Sequence, residues 1–89
     1  MPESHLLMFT GTECTHCHEM EPLLKELEKK EKVSVERLEV WHNSDNMKKL
    51  KSLDNGKCGG IPFFFNTKTQ KWICGSTSYE HLKEWASGK

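Results

Sequence analysis

The sequence has little of what marks several protein classes. Neither sign of charge is in excess: 13 Lys and Arg are set against 13 Asp and Glu. A nucleic-acid binder would carry a basic surplus, so that class is not expected. A balanced chain also has no electrostatic pull towards an anionic membrane surface. Long apolar runs are missing. The longest, Leu6-Leu7-Met8-Phe9, falls far short of the roughly 20 residues that cross a bilayer. Met1-Pro2-Glu3-Ser4 brings no basic residue ahead of it, so no secretory signal is expected and the default compartment is the cytoplasm. There is no internal repeat, linker or low-complexity tract. The 89 residues therefore read as a single domain, 1–89, near the lower size limit for an unaided core.

The apolar pattern that is present alternates between strand and helix. Residues 5–10 form a short apolar run, read as a buried strand. Met20, Leu23, Leu24 and Leu27 recur at i, i+3, i+4, i+7 within a helix over 15–31. Glu21/Lys25, Glu26/Lys30 and Glu28/Lys32 stand at i,i+4 with the acid first and read as ion pairs on its solvated face. Residues 33–40 are rich in β-branched side chains and predict a strand. Asn43 to Asn46 offer caps for a short helix carrying Met47, Leu50 and Leu53, which Asp54-Asn55-Gly56 ends. Pro62-Phe63-Phe64-Phe65 and Lys71-Trp72-Ile73-Cys74 predict a hairpin. Thr77 and Glu80, at capping-box spacing, open a last helix with Tyr79, Leu82, Trp85 and Ala86 inward. The expected fold is α/β in the order β-α-β-α-β-β-α. Its first half is a parallel βαβ unit, so the four-stranded sheet is mixed, with helices on both faces.

The chemistry concentrates in Cys14-Thr15-His16-Cys17, at a strand-to-helix junction. Free N–H groups and the helix macrodipole favour an anion at that position. A Cys14 thiolate is therefore stabilised relative to a free thiol, and the thiolate is the nucleophile of disulfide exchange. Cys17 lies one turn deeper, close enough to bond Cys14. The roles follow: Cys14 attacks a substrate disulfide, and Cys17 resolves the mixed disulfide.

These residues resemble the thioredoxin superfamily over nearly the whole chain. The CxxC follows a strand. Pro22 falls five residues after the second cysteine, inside the helix. Gly60-Ile61-Pro62 looks like the family's cis-proline loop, and Gly75 precedes a closing helix over Thr77 to Trp85. The resemblance implies a minimal thioredoxin fold and a thiol–disulfide oxidoreductase with no cofactor. In it, Ile61 pairs through its backbone with an extended substrate, Pro62 keeps competing groups off the sulfurs, and Gly75 borders the groove. His16, directly before the second cysteine, is similar to strongly oxidising members of the family and is expected to tune the pKa of Cys14. Met8 stands where many thioredoxins have a buried aspartate. The glutathione-binding pattern of glutaredoxins is weak here, with Gly-Ile-Pro in place of Thr-Val-Pro. The implied partners are protein disulfides and a thiol/disulfide reductase or oxidase, with no nucleic acid and no membrane, acting on a monomer. By the same resemblance, Cys58 lies in the loop facing the site and Cys74 borders the substrate groove. They read as buried inert thiols, or as a second redox or regulatory thiol. Trp41 ends a strand near the same end and can touch substrate.

Two other classes share the motif. Cys14-Thr15-His16-Cys17-His18 is formally a CxxCH haem-attachment sequence. Cys14, Cys17 and His16 or His18 could also join Cys58 around zinc, although only one paired-ligand knuckle is present. A redoxin fold used for binding alone would not need both cysteines.

Overall fold

The computed structural model describes residues 5–87. Met1 to Ser4, where the signal-segment expectation falls, lie outside them. Strand β1 (Leu6–Thr10) is an inner strand from which both cores grow. Its side chains alternate between the two faces of the sheet. Leu6 and Met8 join one cluster, and Leu7 and Phe9 join the other. This two-sided burial is why the strand reads as a continuous apolar run. The chain continues through α1 (Thr15–Glu31), β2 (Val35–Glu39), α2 (Ser44–Asp54), β3 (Phe63–Asn66), β4 (Trp72–Cys74) and α3 (Tyr79–Ser87). The sheet order is β2-β1-β3-β4. β1 runs parallel to β2, with Leu6 opposite Val35, and antiparallel to β3, with Phe9 opposite Phe63. β3 and β4 close the hairpin, with Phe63 opposite Cys74. The fold class and element order are those expected from the sequence.

Helices α1 and α3 cover one face, where Met20, Leu24, Leu27, Leu82 and Trp85 bury against Leu6, Met8 and Phe64. Helix α2 covers the other through Leu50, against Leu7, Phe9, Phe63 and Phe65. Truncating any of the large aliphatic members to Ala would cost about 2–5 kcal/mol, depending on how far the site collapses. Buried Asn66 ends β3 and ties two elements together. Its Nδ2 donates to the Trp85 carbonyl at 2.9 Å, and its Oδ1 accepts the Lys68 and Thr69 N–H groups.

Three local expectations are corrected. β2 occupies 35–39 rather than 33–40, because its register with β1 runs from Leu6–Val35 to Thr10–Glu39. The last helix starts at Tyr79, and Ser78 rather than Thr77 caps it: Ser78 Oγ accepts the His81 N–H at 3.3 Å, while Thr77 Oγ1 pairs with the His81 ring. Of the three i,i+4 ion pairs, Glu26–Lys30 forms at 2.6 Å. Glu21 and Glu28 instead clamp Arg37 of β2 at 3.0 and 2.8 Å. A half-buried guanidinium needs charged partners more than two exposed lysines do. Lys32 has also left the helix, as its left-handed cap residue at φ 55°.

Candidate functional site

The end of β1 sets the position of the first cysteine pair. Gly11 follows the strand, and its carbonyl accepts the Cys14 N–H at 3.0 Å. A Cβ on Gly11 would stand 2.5 Å from Trp41 Cδ2 and 2.8 Å from Ile61 Cδ1. Only glycine lets the Trp41 and Ile61 side chains close over this turn. Cys14 is extended (φ −83°, ψ 108°) and caps α1 with its own sulfur, whose Sγ accepts the Cys17 N–H at 3.2 Å. Sulfur thus occupies the place usually taken by a Ser or Asp oxygen. The first turn of α1 carries no acidic residue to compete with an anion there. Cys14 and Cys17 form a disulfide, with Cα atoms 5.2 Å apart. Cys14 is 7% exposed and Cys17 fully buried, so the outer sulfur belongs to Cys14. Pro22 lies inside α1, which runs unbroken from Thr15.

In the loop before β3, the Ile61–Pro62 peptide bond is cis. The Pro62 carbonyl accepts the Gly75 N–H at 2.8 Å, so two of the anticipated substrate-side residues are joined directly. Ile61 packs against both apolar clusters, one of which contains Cys14 and Cys17. Ile61 also lines a cavity of about 410 Å³, walled by Val40, Trp41, Met47 and Leu50, with Lys51 among its lining residues. Trp41 is 48% exposed there.

The reading of Cys58 and Cys74 as buried thiols is overturned. They form a second disulfide, with Cα atoms 5.5 Å apart, and among the described residues no cysteine is free. Cys74 is exposed and Cys58 half-buried. Sequence separation hid the pair, since only the β3–β4 register brings Cys74 alongside the loop before β3. Asp54, buried at the end of α2, accepts the Cys58 and Gly59 N–H groups with its two carboxylate oxygens. Its place in Asp54-Asn55-Gly56 signals only a helix stop.

The charged rim was not legible in the sequence. His42 Nε2 donates to both oxygens of Glu13, at 2.9 and 3.0 Å. The hydrogen bond and charge of Glu13, with Glu39 further off, raise the His42 pKa above its ordinary value. Glu39 accepts the N–H groups of Thr12, Trp41 and His42. Partial burial alone would raise its carboxyl pKa, but the hydrogen bonds from His42 and Thr12 outweigh that and hold it below the usual value. His16 lies with its side chain 73% exposed, donating to Glu19 at 3.2 Å. His18 Nε2 donates to the Thr12 carbonyl at 2.6 Å.

The sulfurs needed by the zinc and haem readings are divided between two disulfides, and His16 and His18 are turned to Glu19 and Thr12. Among the described residues, the His, Cys and carboxylate groups close enough to share a metal are Glu13, Glu39 and His42, and all three already serve the rim's hydrogen bonds. The arrangement can take up and give up two electrons at Cys14–Cys17. No helix among the described residues is long and apolar enough to cross a membrane. Comparison with known protein families finds no match, and no curated protein matches the chain.

Proposed function

We propose that the protein is a thiol–disulfide oxidoreductase of the thioredoxin superfamily acting on protein disulfides. One observation carries the reading: the Cys14 sulfur is itself the N-cap of α1, bonded to Cys17 and the more accessible of the two. In the reduced protein, the Cys17 N–H and the helix terminus stabilise a Cys14 thiolate. That thiolate attacks one sulfur of a substrate disulfide. A Cys14–substrate disulfide forms, and the other substrate sulfur leaves as a thiolate. Cys17, deprotonated, then attacks Cys14 Sγ. The Cys14–Cys17 bond closes, and the second substrate sulfur leaves. Two electrons pass to the substrate, and the reverse sequence oxidises it.

Ile61 precedes β3 outside its strand pairing and offers its backbone to an extended substrate, while Gly75 braces Pro62. The apolar cavity beside Ile61 gives room for a side chain flanking the substrate cysteine. A partner reductase or oxidase sets the direction. The reading places the monomer in the cytoplasm. Thiol trapping in intact cells tests that placement, because a reducing compartment keeps cysteines as thiols and an oxidising one preserves disulfides. The function itself is tested by insulin-disulfide reduction with wild type and Cys14→Ser: activity is expected in the first and lost in the second. Equal activity refutes the nucleophile assignment.

A further inference from the structure

The second disulfide, Cys58–Cys74, joins two parts of the chain on either side of the Ile61–Pro62 segment. It ties the loop after α2 to the end of β4, and the segment it encloses contains Ile61 and Pro62. Within it, the stretch from Cys58 to Pro62 precedes β3 and belongs to no helix or strand. Gly59 and Gly60 lie in that stretch and Gly56 just ahead of it, and a Cβ on any of them would meet nothing within 4 Å. Gly56 and Gly59 both lie at φ 81°. Such residues lose the most conformational freedom on ordering. Three restraints converge on the segment: the Asp54 carboxylate on the Cys58 and Gly59 N–H groups, the Gly75 N–H on the Pro62 carbonyl, and the Cys58–Cys74 bond. The covalent one joins the other two, since the Cys58 N–H is held by Asp54 and Cys74 immediately precedes Gly75. From there a short path leads to the first pair. Ile61 rests on Gly11, whose carbonyl holds the Cys14 N–H.

We propose that the Cys58–Cys74 disulfide is a positioning element for the Cys14–Cys17 site, and that a dithiol reductant opening it releases the Ile61–Pro62 segment and weakens capture of a substrate disulfide. The role rests on the oxidoreductase reading above. Cys74 is exposed, so an external thiolate can reach it. Attack on Cys74 Sγ forms a mixed disulfide and expels the Cys58 thiolate, which takes up a proton. The reductant's second thiolate then displaces Cys74, which is protonated in turn. Two electrons and two protons have passed from the dithiol, which leaves as its own disulfide. Cys17, fully buried, is shielded from the same attack.

The test compares the full chain with the double variant Cys58→Ser, Cys74→Ser by amide hydrogen exchange and by steady-state reduction of a peptide disulfide. Exchange at Ile61 and Gly75 is expected to rise about tenfold or more while the interior of β1 is unchanged. KM should rise about tenfold with kcat within roughly twofold, as for a lost positioning contact. The Cys14–Cys17 redox potential should stay where it is, which a merely global loss of structure would not allow. Unchanged exchange at Ile61 and Gly75, or an unchanged KM, overturns the proposal. If the wild type reduces no disulfide at all, the oxidoreductase reading fails by itself, and the exchange data still decide whether the bond fixes the segment. Cys58→Ala with Cys74→Val serves if the serine pair does not fold. Failure of both to fold makes the bond a staple of the whole domain and also overturns the proposal.

Discussion

The backbone N–H of Cys17 donates to Sγ of Cys14 at 3.2 Å, so the residue that opens α1 caps it with sulfur rather than oxygen. In the reduced protein this bond is strengthened by negative charge on the sulfur. Cys14 should therefore be alkylated at neutral pH about tenfold faster than a thiol in an unstructured peptide, and Cys17 should stay unlabelled. Mass mapping of the labelled sites after a short pulse checks this. Equal rates at Cys14 and in the peptide would remove the basis for a poised thiolate.

His16 stands in the same turn, exposed and bonded to Glu19. His16→Pro should make the Cys14–Cys17 pair more reducing, because the imidazole in the first turn of α1 is gone. Equilibration against a glutathione or dithiothreitol buffer measures the change. A shift below about 10 mV, under 0.5 kcal/mol for a two-electron couple, takes His16 out of the tuning role.

Gly11 has no room for a side chain. Gly11→Ala should destabilise the fold by about 1–3 kcal/mol through overpacking against Trp41 and Ile61. That would lower the melting temperature of a domain this size by roughly 4–8 °C per kcal/mol. It should also lower exchange activity, because the same side chains lie over the Cys14 turn. A stable, fully active variant would show that the turn can open without consequence.

Arg37 holds Glu21 and Glu28, joining α1 to β2. Burial alone would raise the Glu28 carboxyl pKa, but the hydrogen bonds from Arg37 and the Val35 N–H outweigh it and hold the group below its ordinary value. A depressed carboxyl stabilises the fold above its unfolded value, and that contribution is lost as pH falls through the folded one. Arg37→Met should cost about 1–3 kcal/mol at neutral pH, since two half-buried carboxylates lose their partner. The deficit should narrow in acid. Denaturant titrations at neutral and acidic pH test both points, and a deficit independent of pH would assign the loss to packing.

The Glu13–His42 pair makes the opposite pH statement. The folded His42 pKa is raised, so its contribution is complete below the ordinary imidazole value and disappears as pH rises through the folded one. An NMR titration should place the His42 midpoint above the ordinary value, and Glu13→Gln should bring it back down. A midpoint indifferent to Glu13 would mean that the pair is not populated in solution.

Much of this protein is determined locally. The period of Cys17, Met20, Leu24 and Leu27 makes α1, and the unbroken apolar run of β1 states that the strand is buried on both faces. The CxxC at the first strand-to-helix junction fixes where a sulfur anion is favoured, because caps and macrodipoles act within one turn. The cis isomer of Ile61–Pro62 came from resemblance rather than from local rules, which leave either isomer open. Only the tertiary structure decided the pairings between distant residues. Cys58 with Cys74, Arg37 with Glu21 and Glu28, His42 with Glu13, and Gly11 beneath Trp41 and Ile61 each join separate elements. Charge and sulfur chemistry have no periodicity to announce a partner. The α1–β2 packing and the β3–β4 register bring these groups together, and nearest-neighbour patterns contain neither.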